Sequence, residues 1–128
     1  MRIAVCSSGE TLDSPVDPRF GRCAYFVSVD TDTMESVAAA NPGAMSPQGT
    51  GIQAAQVVSS LGVEAVVAGN FGPNAFNVLS AANIKVFPAQ AGTVREVAEL
   101  VKSGQLSDVS SPTVPSHFGM GPGKGGEE

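Results

Sequence analysis

The apolar pattern of this chain changes period once, at Thr50, and that change restricts the fold more than any other feature of the sequence. Before it, apolar runs are short and bounded by turn residues, as strands are. Residues 2–7 read as a buried strand, and residues 24–29 and 34–40 as a hairpin turning on Asp30-Thr31-Asp32-Thr33. After it, apolar residues recur at helical spacing and alternate with short buried runs. Thr50 and Gln53 have the spacing of a capping box and predict a helix to about Ser60, with Ile52, Ala55, Val58 and Leu61 on one face. Gly62 closes it, and residues 64–68 form a strand of parallel character. Gly72-Pro73 opens a second helix with Pro at its first position, Asn83 ends it, and residues 84–87 form another strand. Thr93 and Glu96 repeat the capping-box spacing before a last helix that stops at Gly104. The order β-β-β-α-β-α-β-α implies an α/β domain whose mixed sheet is covered on both faces.

With 128 residues there is room for one core, and with no Trp and one Tyr that core is built mainly from Ala, Val, Ile and Leu. Such small side chains let helices lie close on a sheet. The expected division is one domain over residues 1–104, followed by a Gly-, Pro- and Ser-rich segment, 105–128, with no apolar periodicity and the composition of a flexible tail.

Seven Lys and Arg against twelve Asp and Glu leave a net charge of −5, which disfavours nucleic acid as a partner. No stretch is long enough to span a membrane, and none reads as a signal peptide. Two cysteines are too few for a secreted disulfide framework. A reducing cytoplasm is the expected setting, with both thiols free.

Against that acidic background, residues 17–23 (Asp-Pro-Arg-Phe-Gly-Arg-Cys) place Arg19 and Arg22 in one loop around Phe20 and Gly21. Two guanidiniums beside a thiol suit a small anion or an anionic metal–sulfur species. The structural alternative is that the arginines pin the loop by pairing with Asp13 or Asp17. Thiolate suits copper(I), iron–sulfur and molybdenum sulfide chemistry, which makes Cys23, and secondarily Cys6 in the first strand, candidate metal ligands; either could equally be a small core residue. The helix starts at Thr50, Gly51 and Ile52 and at Gly72 and Asn74 would add backbone N–H donors, since α/β sheets bind ligands at strand carboxyl ends. His117 and Met120 lie in the tail, where an arm could close over a soft metal.

The block 17–23 followed by Tyr25-Phe26, then Gly49-Thr50-Gly51-Ile52-Gln53-Ala54-Ala55, Gly69-Asn70-Phe71-Gly72-Pro73-Asn74-Ala75 and Ala82-Asn83-Ile84-Lys85-Val86-Phe87, resembles the dinitrogenase iron–molybdenum cofactor biosynthesis family, over residues 1–104. That resemblance implies a three-layer α/β/α, ribonuclease-H-like fold with a five-stranded mixed sheet. It also implies binding or carriage of a metal–sulfur cluster, of the iron–molybdenum–sulfur type or the molybdenum–copper–sulfide type held by the small orange protein of sulfate reducers. A cluster donor or acceptor protein would then be a partner. Family members that carry iron–molybdenum cofactor use His or Cys to hold it; residues 1–104 here contain Cys6 and Cys23 but no His.

Enzymatic readings fare less well. A two-metal nuclease needs convergent carboxylates, usually one on the first strand, and residues 2–7 carry none. A serine or cysteine hydrolase needs a His base within the folded domain, and the sole His is His117. The expectation is therefore a non-enzymatic carrier, scaffold or storage protein for an anionic metal–sulfide cluster. The competing reading is a metal-free regulatory or interaction module binding a small phosphorylated ligand or a partner protein.

Overall fold

The computed structural model describes residues 1–44 and 50–109, without the side chain of Thr50. The elements are β1 (Arg2–Ser7), β2 (Tyr25–Asp30), β3 (Ser36–Ala40), α1 (Thr50–Ser59), β4 (Ala65–Ala68), α2 (Pro73–Ala81), β5 (Lys85–Pro88) and α3 (Val94–Lys102). This is the predicted order. The strands form one mixed sheet in the order β3-β2-β1-β4-β5. β1 runs antiparallel to β2, and β2 to β3, whereas β4 is parallel to both β1 and β5.

Strand composition follows position in the sheet. β1 lies at the centre, so residues of both faces are buried and Ile3 to Ser7 reads as an uninterrupted small or apolar run. Ala4, Cys6, Phe26, Val66 and Val86 pack with Ala54, Ala55, Val58 and Leu79 of α1 and α2. Ile3, Val5, Val27, Val29, Val67 and Phe87 pack with Val94, Val97 and Ala98 of α3. Two helices therefore cover one face and one helix the other, the three-layer arrangement expected. Each fully buried Val or Ile contributes roughly 1.5–3 kcal/mol, and the many small residues let the layers approach closely.

Several local expectations are met. Thr93 Oγ1 accepts the N–H of Glu96 at 3.1 Å and Glu96 Oε1 accepts the N–H of Thr93 at 2.8 Å, completing the predicted box. Gly104, with φ +77°, ends the last helix, and its neighbour Gln105 donates back to the carbonyl of Leu100 at 2.9 Å. Asn83 takes a left-handed φ of 61° after α2.

Four differ. The third strand starts at Ser36 and not at Met34, because Met34 itself turns through a left-handed φ of 62° to close the hairpin. The helix already includes Thr50, one residue earlier than a cap at that position would give. Gln53 turns instead toward the preceding loop, where a Cβ on Gly43 would stand 2.8 Å from its Oε1. Ile52 is 41% exposed and does not join the inward face with Ala55 and Val58. Finally, the packed chain continues past 104. Leu106 packs on the α3 side, and Val109 packs on the other face while donating its N–H to Val86 of β5 at 2.9 Å. Two isolated apolar residues among Ser and Asp have no period to reveal them. Residues 110–128, with the predicted arm of His117 and Met120, lie outside the described residues.

Candidate functional site

The loop between β1 and β2 is shaped by its own short-range bonds. Asp17 donates its N–H to the carbonyl of Cys6 at 2.8 Å, and its Oδ1 accepts the backbone N–H of Arg19 at 2.9 Å, an Asx turn around Pro18. Arg22 donates back to the carbonyl of Arg19 at 3.0 Å, closing a second turn. Phe20, between the arginines, points inward and is 4% exposed, its ring centroid 5.1 Å from that of Phe71 and 6.0 Å from that of Phe26. With Phe20 as an anchor, Arg19 and Arg22 remain exposed at the surface.

The loop docks on the segment between β4 and α2. Asn70 donates its N–H to the carbonyl of Pro18 at 3.1 Å, and Arg19 pairs with Asn70 as one parallel bridge. Gln90 Nε2 ties down the same segment through the carbonyl of Gly69 at 2.9 Å. From the other side, the buried Asn41 donates from Nδ2 to the carbonyl of Cys23 at 2.8 Å and of Gly21 at 3.3 Å. Two side-chain amides thus tie backbone carbonyls of the loop and of the segment on which it docks, that of Cys23 being buried.

These contacts produce a cleft of about 320 Å³ at the carboxyl end of β4, lined by Arg19, Phe20, Gly21, Arg22, Gly51, Ile52, Asn70, Gly72, Pro73, Asn74 and Ala75. The starts of α1 and α2 both reach it. Gly72 caps α2 without a side-chain hydrogen bond, and Pro73 has no N–H, which leaves the N–H groups of Asn74 and Ala75 without an acceptor from the cap. Among the described residues no carboxylate lines the cleft. In a chain of net charge −5, the cleft brings together Arg22, Arg19 with its ion-pair partner Asp17 beside it, and two helix starts.

The candidate residues Arg19, Phe20, Gly21, Arg22, Gly51, Ile52, Gly72 and Asn74 are thus brought together; Thr50 stands beside them at the start of α1. Pro73, between the predicted Gly72 and Asn74, lines the cleft as well, and so do Asn70 and Ala75, which the sequence offers only within the 69–75 block and not as site residues. Asn70 lies just past β4, where the strand-end rule could have pointed to it.

The thiols lie elsewhere. Cys6 and Cys23 are both fully buried in the core beneath the loop, and neither lines the cleft. Cys23 Sγ donates to the carbonyl of Phe20 at 3.5 Å. Burial, and then the neighbouring Cys23 thiol, push the Cys6 thiol well above its ordinary value of 9.0, so it is protonated at neutral pH. Among the described residues no three His, Cys, Asp or Glu side chains converge to hold a metal ion. The expected pairing of an arginine with a loop carboxylate is present for Arg19: Nε meets Asp17 Oδ1 at 3.1 Å and Nη2 meets Oδ2 at 3.0 Å. Asp13 pairs instead with Arg95, at 3.2 Å.

The fold has close counterparts of known structure. The apo orange protein of Desulfovibrio gigas superposes with a TM-score of 0.83 and is 42% identical, across 88% of this chain and 95% of that one. A proposed NifB protein from Thermotoga gives a TM-score of 0.74 and 38% identity, across 88% and 96%. An uncharacterised protein of Methanocaldococcus jannaschii is 29% identical over 94 residues, 71% of this chain and 80% of its own length. No helix among the described residues is long and apolar enough to cross a membrane. Residues 1–104 match the family described as dinitrogenase iron-molybdenum cofactor, and the chain belongs to that family.

Proposed function

We propose that this protein binds and carries an anionic metal–sulfur cluster in the arginine cleft, held by charge and hydrogen bonds and not by protein ligands to the metal. The observation that carries this reading is the lining itself: Arg19, Arg22 and two helix starts converge, with no carboxylate in the lining among the described residues. A cluster already saturated by its own sulfides needs no protein thiolate. It needs donors for its surface sulfur atoms and relief of its negative charge. The buried, protonated Cys6 and the buried Cys23 fit that division, because neither presents a thiolate to the cleft. Family membership and the likeness to the orange protein support a molybdenum-containing cargo, of the molybdenum–copper or iron–molybdenum sulfide type.

The same donors would accept a phosphorylated ligand, as a metal-free regulatory module would. Phe20, Ile52, Pro73 and Ala75 in the lining favour the sulfide cargo. A large, polarisable and weakly hydrated anion gains from apolar walls, whereas phosphate loses hydration there without replacement. Because the cleft is open to solvent, a cytoplasmic donor or acceptor protein could load or unload it directly.

The test is anaerobic incubation with tetrathiomolybdate, with and without copper(I), and separately with iron and sulfide. Gel filtration, visible absorption and metal analysis follow. A stoichiometric coloured complex that inorganic phosphate does not displace is expected. A colourless, metal-free protein from every mixture overturns the reading in favour of the regulatory module.

A further inference from the structure

We infer that Asp17 is a positioning residue for anion binding, holding the guanidinium of Arg19 oriented at the mouth of the cleft. This inference rests on the function proposed above. Asp17 is 5% exposed, whereas Arg19 is 68% exposed. An arginine so exposed would ordinarily sample many rotamers and lose that freedom when it bound an anion. Here it is already fixed. Asp17 Oδ1 accepts from Arg19 Nε at 3.1 Å and Oδ2 accepts from Nη2 at 3.0 Å, a two-point fork that sets both the position and the plane of the guanidinium.

The carboxylate is itself immobilised by the backbone. Its Oδ1 also accepts the Arg19 N–H at 2.9 Å, and the Asp17 N–H is bonded to the carbonyl of Cys6 in the central strand at 2.8 Å. The orientation of Arg19 is therefore transmitted from β1. A guanidinium has five N–H donors in a rigid plane. Asp17 takes one from Nε and one from Nη2, which leaves the two on Nη1 and the second on Nη2 for a ligand. Arg19 lines the cleft and Asp17 does not, so the fork presents the unused donors while the opposing charge stays behind them.

The sign of one substitution separates this from a simpler electrostatic role. If Asp17 acted only as a negative charge near an anion site, Asp17→Asn would tighten binding. As a positioning residue, its loss weakens binding even though the net charge becomes less negative. The loss expected is about ten-fold, in the range for residues that orient a ligand-binding group.

Tetrathiomolybdate is titrated anaerobically into the full chain, as wild type, Asp17→Asn, Arg19→Lys and Arg19→Ala, with the Arg19 Nε–H resonance followed by NMR in parallel. We expect a slowly exchanging Nε–H signal in the wild type that is lost in Asp17→Asn, with affinity reduced about ten-fold. Arg19→Lys keeps the charge but not the fork, and it sits on an exposed side chain with little consequence for folding. It is expected to bind as weakly as Arg19→Ala. Asp17→Asn binding as tightly as wild type or tighter, or Arg19→Lys binding like wild type, overturns this inference while leaving the proposed function intact. A wild type that binds no thiomolybdate overturns the proposed function and the role of Asp17 with it.

Discussion

Gly69 and Pro18 are in such close apposition that a Cβ built on Gly69 would come 2.5 Å from the Cβ of Pro18 and 2.8 Å from its Cα. This is the point where the arginine loop rests on the end of β4, and only a residue without a side chain fits there. The Asn70 N–H to Pro18 carbonyl bond, at 3.1 Å, depends on the same approach.

Gly69→Ala should therefore push the loop away from β4. A destabilisation of about 1–3 kcal/mol is expected, as for other overpacked sites, with weaker anion binding because Arg19 moves with Pro18. Urea unfolding together with thiomolybdate titration would check it. Unchanged stability would mean that the loop is not seated on Gly69.

Gly72 is the contrasting case. Its φ of −75° is accessible to any residue, and a Cβ there would meet nothing within 4 Å. Gly72→Ala should leave the fold intact or stabilise it by about 0.4–1 kcal/mol. The new methyl would nevertheless stand in the cleft lining, so anion affinity should fall while the melting temperature holds or rises. Wild-type affinity in this variant would place the ligand away from the start of α2.

The capping box of α3 is exposed, and its value can be measured without disturbing the core. Thr93→Ala removes the acceptor of the Glu96 N–H and should cost about 0.5–2 kcal/mol in a denaturant melt. Because α3 covers the face of the sheet opposite α1 and α2, thiomolybdate affinity should not change.

Acid stability should depend on Asp17. Burial pushes its carboxyl up, but the side-chain and backbone bonds from Arg19 outweigh that and hold it below the ordinary 3.8. A group whose pKa is lower in the folded protein stabilises fully above its unfolded value and loses that contribution as pH falls through the folded one. Wild-type stability should fall below about pH 4, and Asp17→Asn should flatten that decline. Equal acid limbs in urea melts of the two proteins would rule out Asp17 as a source.

The Cys6 thiol has the opposite sign. Its folded pKa lies well above 9.0, so its contribution is complete below that value and is lost as pH rises further. Cys6→Ala should flatten the alkaline decline of stability. Because neither thiol reaches the cleft, Cys23→Ser should retain thiomolybdate binding, which visible absorption after gel filtration would show.

The sequence alone determined the element order. Periodicity, the Thr93–Glu96 box, Pro73 and the stops at Gly62, Asn83 and Gly104 are local properties, set by backbone sterics and by hydrogen bonds between residues a few positions apart. It also determined that Arg19 and Arg22 share a loop and that helix starts near 51 and 72 could supply N–H donors. Whether these came together was a question of tertiary structure. β4 pairs parallel with β1, and this pairing brings the loop before β2 against the loop after β4.

Burial of Cys6 follows from the apolar strand that holds it, but burial of Cys23 was illegible, since a thiol after the arginine loop suits a core residue or a ligand until the position of the sheet is known. The same holds for Ile52, whose helical spacing placed it on the inward face although it stands at the open end of α1, beside the cleft. Short-range bonds can be read from neighbouring residues. Exposure and convergence depend on contacts between residues far apart in the chain, and these form only when the sheet assembles.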